Sequence, residues 1–386
     1  NKLVTHIINI PNSEETSEQK QASQFASLSY GILVNDGVIS AMFDNNDLLS
    51  VIIKTFNGQI VNERANKHFC DFIEVLLRGN PEAMAFFLDD NPEMNEKIIA
   101  SIGSGNFCNM ILSVAETWQM SDYVHGIVVG WGVVALRQYL DSVDTHDSDQ
   151  LANTVRFLRF LVRTNAFIHS QISEPFVSLL NNDEYITNMI DKAIGSDPDT
   201  CICTIPLLIE ILVQNKNQKP GKSPLDSIIL NPPTSPKLSA EDTKIYQEKA
   251  MEAYRLLREQ LRDDVPPVIR ILLTRHEILV QSLRNCLDKP ENEEPLGFFR
   301  FGVVKLVQAM LVTNYPYGNS FMAETELVSA CLDLFFHFFR HSILHSVIAY
   351  IVRYIMAMGN RDLVEMLLVR IDLPGKIAKV FEDADV

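Results

Sequence analysis

His337, His341 and His345 recur every fourth residue, a spacing that on one continuous helix would line three imidazoles along one face. Histidines one turn apart can chelate zinc, and the catalytic version adds a glutamate in an HExxH run. No such glutamate is present and the neighbours are Phe and Leu, so these side chains read as core or boundary histidines. Cys201 and Cys203 flank a single Ile, which directs them to opposite sides of a strand or about 200° apart on a helix, a poor geometry for chelation. Gly103 and Gly105 in ASIGSGNFCNM have the look of a phosphate-cradling turn. They lack a GxGxxG run, a Walker lysine and a preceding strand, and a helix C-cap followed by a new N-cap accounts for them. The chain has no GxSxG, no HRD with DFG and no paired-carboxylate signature. Neither an enzyme nor any catalytic, metal or cofactor residue is expected.

Arg156, Arg159 and Arg163 line one face of DQLANTVRFLRFLVR, while Leu151, Val155, Leu158 and Val162 line another. This ridge runs against the chain's overall charge, since 33 Lys plus Arg face 49 Asp plus Glu for a net −16. Such a ridge could grip an acidic protein surface by bidentate pairing, or stand as an ordinary solvated helix face. The global charge disfavours a phosphate-backbone or anionic-membrane footprint, which needs clustered cations. Protein partners are expected, without nucleic acid or membrane insertion.

Six cysteines are scattered through apolar contexts with no CxxC pair, which suits buried thiols in a reducing compartment. Apolar runs such as IVVGWGVVAL at 127–136 fall short of the roughly 20 residues that span a bilayer. The start, NKLVTHIINIPNSEETSEQ, has no basic head or long apolar middle of a signal peptide. An intracellular protein is expected, cytoplasmic and with the nucleus also open to it. The chain begins at Asn1 rather than Met, so it is expected to be a piece of a longer protein.

The elements that must position these residues are helices. Apolar residues recur at helical spacing in DNNDLLSVIIKTF and around 64–78, 93–101, 107–118, 167–180, 184–195, 204–213, 245–262, 266–285, 344–357, 361–370 and 374–382. Turn clusters such as RGNPE, DDNPE, NNDE and SDPD separate them, with Asn, Asp, Gly and Pro to stop one helix and cap the next. Many short helices in series predict an all-α fold, an α-solenoid of HEAT or armadillo type in a single domain over 1–386, with units of roughly 40 residues. A compact helical globule is the alternative. Against it, no central helix apolar all round is evident except the Phe-rich one at 332–339. Between Gln214 and Glu241 five prolines forbid a regular element and predict a flexible insert. In that insert Ser235, followed by Pro236 and Lys237, fits a proline-directed kinase site, though such dipeptides are common by chance.

The stretch from Leu296 to Ile355 reads LGFFRFGVVKLVQAMLVTN and then LVSACLDLFFHFFRHSILHSVIAYIVRYI. Val303, Leu306, Val307, Met310 and Leu311 share one helix face; Leu327, Cys331, Leu334, Phe335 and Phe338 share another. The block resembles the SAPS-domain family, the regulatory subunits of protein phosphatase 6, in Leu296, Gly297, Arg300, Val303 to Leu306, Leu332 to Phe336, Leu344 and His345. Further stretches follow the family in order. They are NKLVTHI, ASQFASLSYGILVNDGVISAMFDNNDLL, GNPEAMAFFLDDNPEMNEKIIASIGSGNFCNMIL with Ile102, Gly103 and Ser104 in register, SVDTHDSDQLANTVRFLRFLVR with Asn153, Leu158 and Arg163, and the tail DLVEMLLVRIDLPGKIAKVFEDAD. Departures are IGSGNFCN for the family's IGTSAIMD, and His341-Ser342 for its Asn-Asn.

The resemblance implies a divergent, non-catalytic helical-repeat scaffold. It would bind a catalytic subunit of protein phosphatase 6 type and direct it to substrates, often with an ankyrin-repeat subunit as third component. An α-solenoid adaptor for trafficking or cytoskeletal cargo, without a phosphatase, is the alternative. The motif residues are expected to be mainly structural, and the binding face is expected on polar helix faces and loops elsewhere.

Overall fold

The computed structural model describes residues 2–9, 16–45, 47, 49–52, 63–99, 103–117, 122–141, 148–164, 171–195, 198–217, 265–289 and 294–384. Among them there is no strand, and the chain is all-α. Ile102, the segment read as helical at 245–262 and most of the proline-rich insert with Ser235 lie outside the described residues. Contacts gather the chain into two compact units, Asn1–Leu180 and Asn181–Val386.

The first unit holds α1 (Lys2–Ile8), α2 (Ser17–Leu33), α3 (Asp36–Phe43), α4 (Glu63–Gly79), α5 (Pro81–Asp90), α6 (Pro92–Ile99), α7 (Gly105–Thr117), α8 (Asp122–Asp141), α9 (Ser148–Arg163) and, after a 3-10 turn at Gln171–Ser173, α10 (Glu174–Leu180). Local chemistry sets many of the starts. Ahead of α2, the Thr16 hydroxyl accepts from the Gln19 N–H at 3.1 Å while Gln19 Oε1 accepts from the Thr16 N–H at 2.9 Å, a reciprocal capping box. Ahead of α5, Asn80 Oδ1 accepts from the Ala83 N–H at 3.1 Å and Pro81 fills the first helical position, where no N–H is missed.

At the centre of this unit lies α8, packed by α5, α6, α7, α9 and α10. It buries Val124, Val128, Val129, Trp131, Gly132, Ala135 and Leu136 over much of its circumference. Gly132 lets α9 come close, since a Cβ there would fall 2.2 Å from Leu161 Cδ1. The Trp131 indole N–H donates to Asn95 Oδ1 of α6. This corrects the expectation that no central helix exists outside 332–339. A glycine-bearing helix hides its buried face from an apolar-periodicity count, because glycine contributes close approach instead of apolar bulk.

The second unit holds α11 (Asp183–Gly195), α12 (Pro198–Asn217), α13 (Pro267–Thr274), α14 (His276–Arg284), α15 (Gly297–Thr313), α16 (Pro316–Glu324), α17 (Leu327–His337), α18 (Ser342–Met358), α19 (Arg361–Glu365) and α20 (Leu373–Ala384), with a π-helical turn at Met366–Arg370. Its hub is α15, which meets α12, α14, α16, α17 and α18. Val303, Val304, Leu306, Val307, Ala309, Met310 and Leu311 are all buried, so α15 is enclosed over most of its circumference from Val303 on, with Lys305 left exposed.

Two stretches read as single helices are interrupted. The 266–285 segment breaks at Arg275, where the Thr274 hydroxyl donates to Ile271 O at 2.7 Å and the His276 ring reaches Leu273 O at 2.8 Å. Both side chains compete with the helix for its own carbonyls. The 361–370 segment changes from α to π, with the Ile371 N–H donating back to Met366 O at 2.9 Å.

Candidate functional site

The residues singled out by the family resemblance fall at joints between helices. In the first unit, Asn153 of α9 donates from Nδ2 to Gly103 O at 2.9 Å, and Cys108 Sγ of α7 approaches Asn153 O at 3.5 Å. A Cβ on Gly103 would stand 2.9 Å from Gln150 Cβ, so a side chain there would push α9 away. Ser104 caps α7 by accepting from the Phe107 N–H at 3.2 Å. The turn at Gly103 is therefore an N-cap seated against α9.

In the second unit, Arg300 ties down the entry to α15. Its Nε donates to Ser282 O at 3.3 Å, its Nη1 to Pro295 O at 3.2 Å, and its Nη2 pairs with Glu294. Lys289 completes the cluster at 2.7 Å from Glu294. Hydrogen bonds from Lys289 and Arg300 hold the Glu294 carboxyl below its ordinary range. Leu296 is buried beside them, and Gly297 sits at φ +70°, a backbone region that favours glycine. Further along, the Phe335 ring lies 4.3 Å from the His345 ring, whose Nε2 meets Phe335 O at 3.1 Å, while Phe336 packs edge-on to Phe335. With Leu334 and Leu344 fully buried, these contacts join α17 to α18.

The three histidines do not share one helix face. The chain leaves α17 after His337, and His341 is the N-cap of α18, its Nδ1 accepting from the Leu344 N–H at 3.2 Å. Periodicity carried the helix through Phe338–His341 because every neighbour is apolar; the imidazole cap starts a new helix instead. Among the described residues no group of three or more His, Cys, Asp or Glu is placed to hold a metal ion. Cys201 is buried and Cys203 half-buried on α12. Burial pushes the Cys70 and Cys331 thiols up to about 12, far from nucleophilic range.

The arginine ridge occupies the outer side of α9, with Leu151, Val155, Leu158 and Val162 buried opposite it. Arg156 is exposed and donates from Nη1 to Asn109 Oδ1 of α7 at 3.1 Å. Arg159 is half-buried and Arg163 exposed in the last turn. In the second unit a cavity of about 530 Å³ is walled by His276, Glu277, Arg284, Asp288, Glu324 and Glu326. Arg284 there already pairs with Glu326, and with Asp333 at 3.2 Å.

A surface that sequence reading missed lies at the start of α15. Phe298 is 77% exposed, and Phe339 and Ile343, beside the His341 cap, are each 63% exposed. The signal that could have found it is the absence of acidic residues from 296–323 and 334–360 in so acidic a chain. Comparison with protein-family models, with curated proteins and with solved structures gave no match. Among the described residues no single helix is long and apolar enough to cross a membrane.

Proposed function

We propose that the chain is a non-catalytic regulatory scaffold of the SAPS type, built of HEAT- or armadillo-like helical repeats, that binds a catalytic subunit of the protein phosphatase 6 type and directs it to substrates. The observation that carries this reading is where the resembling residues sit. Gly103 with Asn153, Arg300 with the Ser282 and Pro295 carbonyls, and Phe335 with His345 each fasten one helix to another. Residues scattered along the sequence thus serve one kind of task, fixing the angle at which neighbouring helices meet, and a repeat scaffold depends on that angle for its binding surface.

Five buried cysteines and one half-buried suit the reducing conditions of the cytoplasm, and a net charge of −16 suits a protein that meets other proteins by local patches and not by a broad cationic footprint. An ankyrin-repeat subunit is the further partner this reading names. The test is co-purification of the tagged chain with a phosphatase 6 type catalytic subunit co-expressed in cells. A stoichiometric complex that survives gel filtration is expected. Elution of the chain without the catalytic subunit would leave the cargo-adaptor reading in its place.

A further inference from the structure

Asp and Glu outnumber Lys and Arg in this chain by 49 to 33, yet two adjoining helices of the second unit are free of carboxylates of their own. These elements, α15 and the run from the end of α17 through α18, contain no Asp or Glu, and neither helix has an acidic residue in its first turn. The two helix starts lie side by side, since the Phe301 ring is 6.2 Å from the His341 ring that caps α18. Their N-terminal ends add partial positive charge to the same place.

The side chains fall into an apolar group with a cationic edge. Phe298 and Phe301 are one turn apart on α15, and Phe339 and Ile343 flank His341. Lys305 is exposed, its Nζ 5.3 Å from the centre of the Phe301 ring, and the exposed Arg340 guanidinium lies 5.1 Å from the centre of the Phe339 ring. Among the described residues neither cation has a carboxylate partner. Arg300, by contrast, is consumed by its own joint. Tyr350 and Arg353 extend the exposed stripe along α18.

Exposed Phe beside unpaired cations is costly surface to maintain in water, and aromatic and Arg side chains are the ones interfaces concentrate. The charge selects the occupant. We propose that the face formed by Phe298, Phe301, Phe339 and Ile343, edged by Lys305 and Arg340, docks a partner protein segment in which carboxylates flank apolar side chains, and, resting on the function proposed above, that the phosphatase catalytic subunit presents it. Apolar side chains of the segment cover the rings while its carboxylates replace the missing counter-ions of Lys305 and Arg340. An anionic membrane would demand more, because lipid-reading patches cluster about four to eight cations and here the rest of an acidic chain would repel the surface.

The experiment uses the full chain and the co-expressed catalytic subunit, with affinity read by biolayer interferometry. Phe298→Ser with Phe339→Ser, and separately Lys305→Glu with Arg340→Glu, are each expected to weaken binding roughly thirtyfold, as hot-spot truncations do. All four side chains are exposed or at the edge of the fold, so circular dichroism and the melting curve should match the parent. Parent chain that binds while both double variants bind equally well would overturn this face and leave the scaffold function standing. Parent chain that fails to bind the catalytic subunit would overturn both. Sedimentation of the parent, but not the variants, with phosphatidylserine vesicles would overturn the protein segment in favour of a lipid surface.

Discussion

The α9 ridge and the α15–α18 face are both cationic features on an acidic chain, yet they differ in what surrounds the charge. On α9, Arg156 is already held by Asn109 and the helix begins with Asp149 in its first turn. At α15 and α18 the cations stand over aromatic rings in stretches free of carboxylates. Charge whose needs are met within the fold has little to gain from a partner, because exposed pairs contribute only about 0–1 kcal/mol. Charge on an apolar surface gains a counter-ion and loses water in the same event. Spacing alone marks the first; only the combination of exposure and missing acids marks the second.

The largest expected effect that would break this comparison is the roughly thirtyfold loss of catalytic-subunit binding in the Phe298→Ser, Phe339→Ser double variant. Next, Asn153→Ala should lower stability by about 1 kcal/mol in urea denaturation, since it removes a part-buried hydrogen bond to Gly103 O, while leaving affinity unchanged. An affinity loss matching that of the aromatic pair would move the docking surface to the first unit. Smaller still, Arg156→Glu with Arg163→Glu should change affinity by less than about threefold in the same titration, the scale of exposed charges. A loss beyond tenfold would restore the ridge as the main contact.

The smallest effect separates the two units by pH. Burial lowers the His68 and His125 imidazoles below the ordinary 6.5 in the first unit. Between its folded and unfolded values each imidazole binds more protons unfolded than folded, so its neutral-form stability is present above pH 6.5 and drains away as pH falls through that value. In the second unit the Glu294 carboxyl is the lowered group, and its contribution is present above 4.5 and lost as pH falls below it. Hydrogen exchange followed by mass spectrometry between pH 7.5 and 6, with each rate divided by the intrinsic amide rate at that pH, should therefore show protection falling around α4 and α8 before any change at the Lys289–Arg300 cluster. Simultaneous onset would contradict it.

Much of the fold was legible because local chemistry and packing agree. The Leu151, Val155, Leu158 and Val162 stripe is buried along α9, and RGNPE encodes the Asn80 cap and Pro81 start of α5. Periodicity failed where a backbone contact competes with the helix. The imidazole cap at His341 and the Thr274 and His276 bonds break runs whose apolar pattern continues unbroken. It failed again at α8, where Gly132 adds a close approach to α9 beside the buried Val128, Trp131 and Leu136. The docking face was missed because Phe298, Phe339 and Ile343 look like core residues in sequence. Their exposure depends on α15 starting at Gly297 and α17 stopping at His337, which no apolar spacing reveals.

The cysteines give the two units separate clocks. Cys70 and Cys108 are buried in the first, and Cys201, Cys286 and Cys331 in the second, so a thiol reagent reaches them only when the surrounding helices part. Labelling with iodoacetamide and peptide mapping would thus time the opening of each half of the chain without a single substitution.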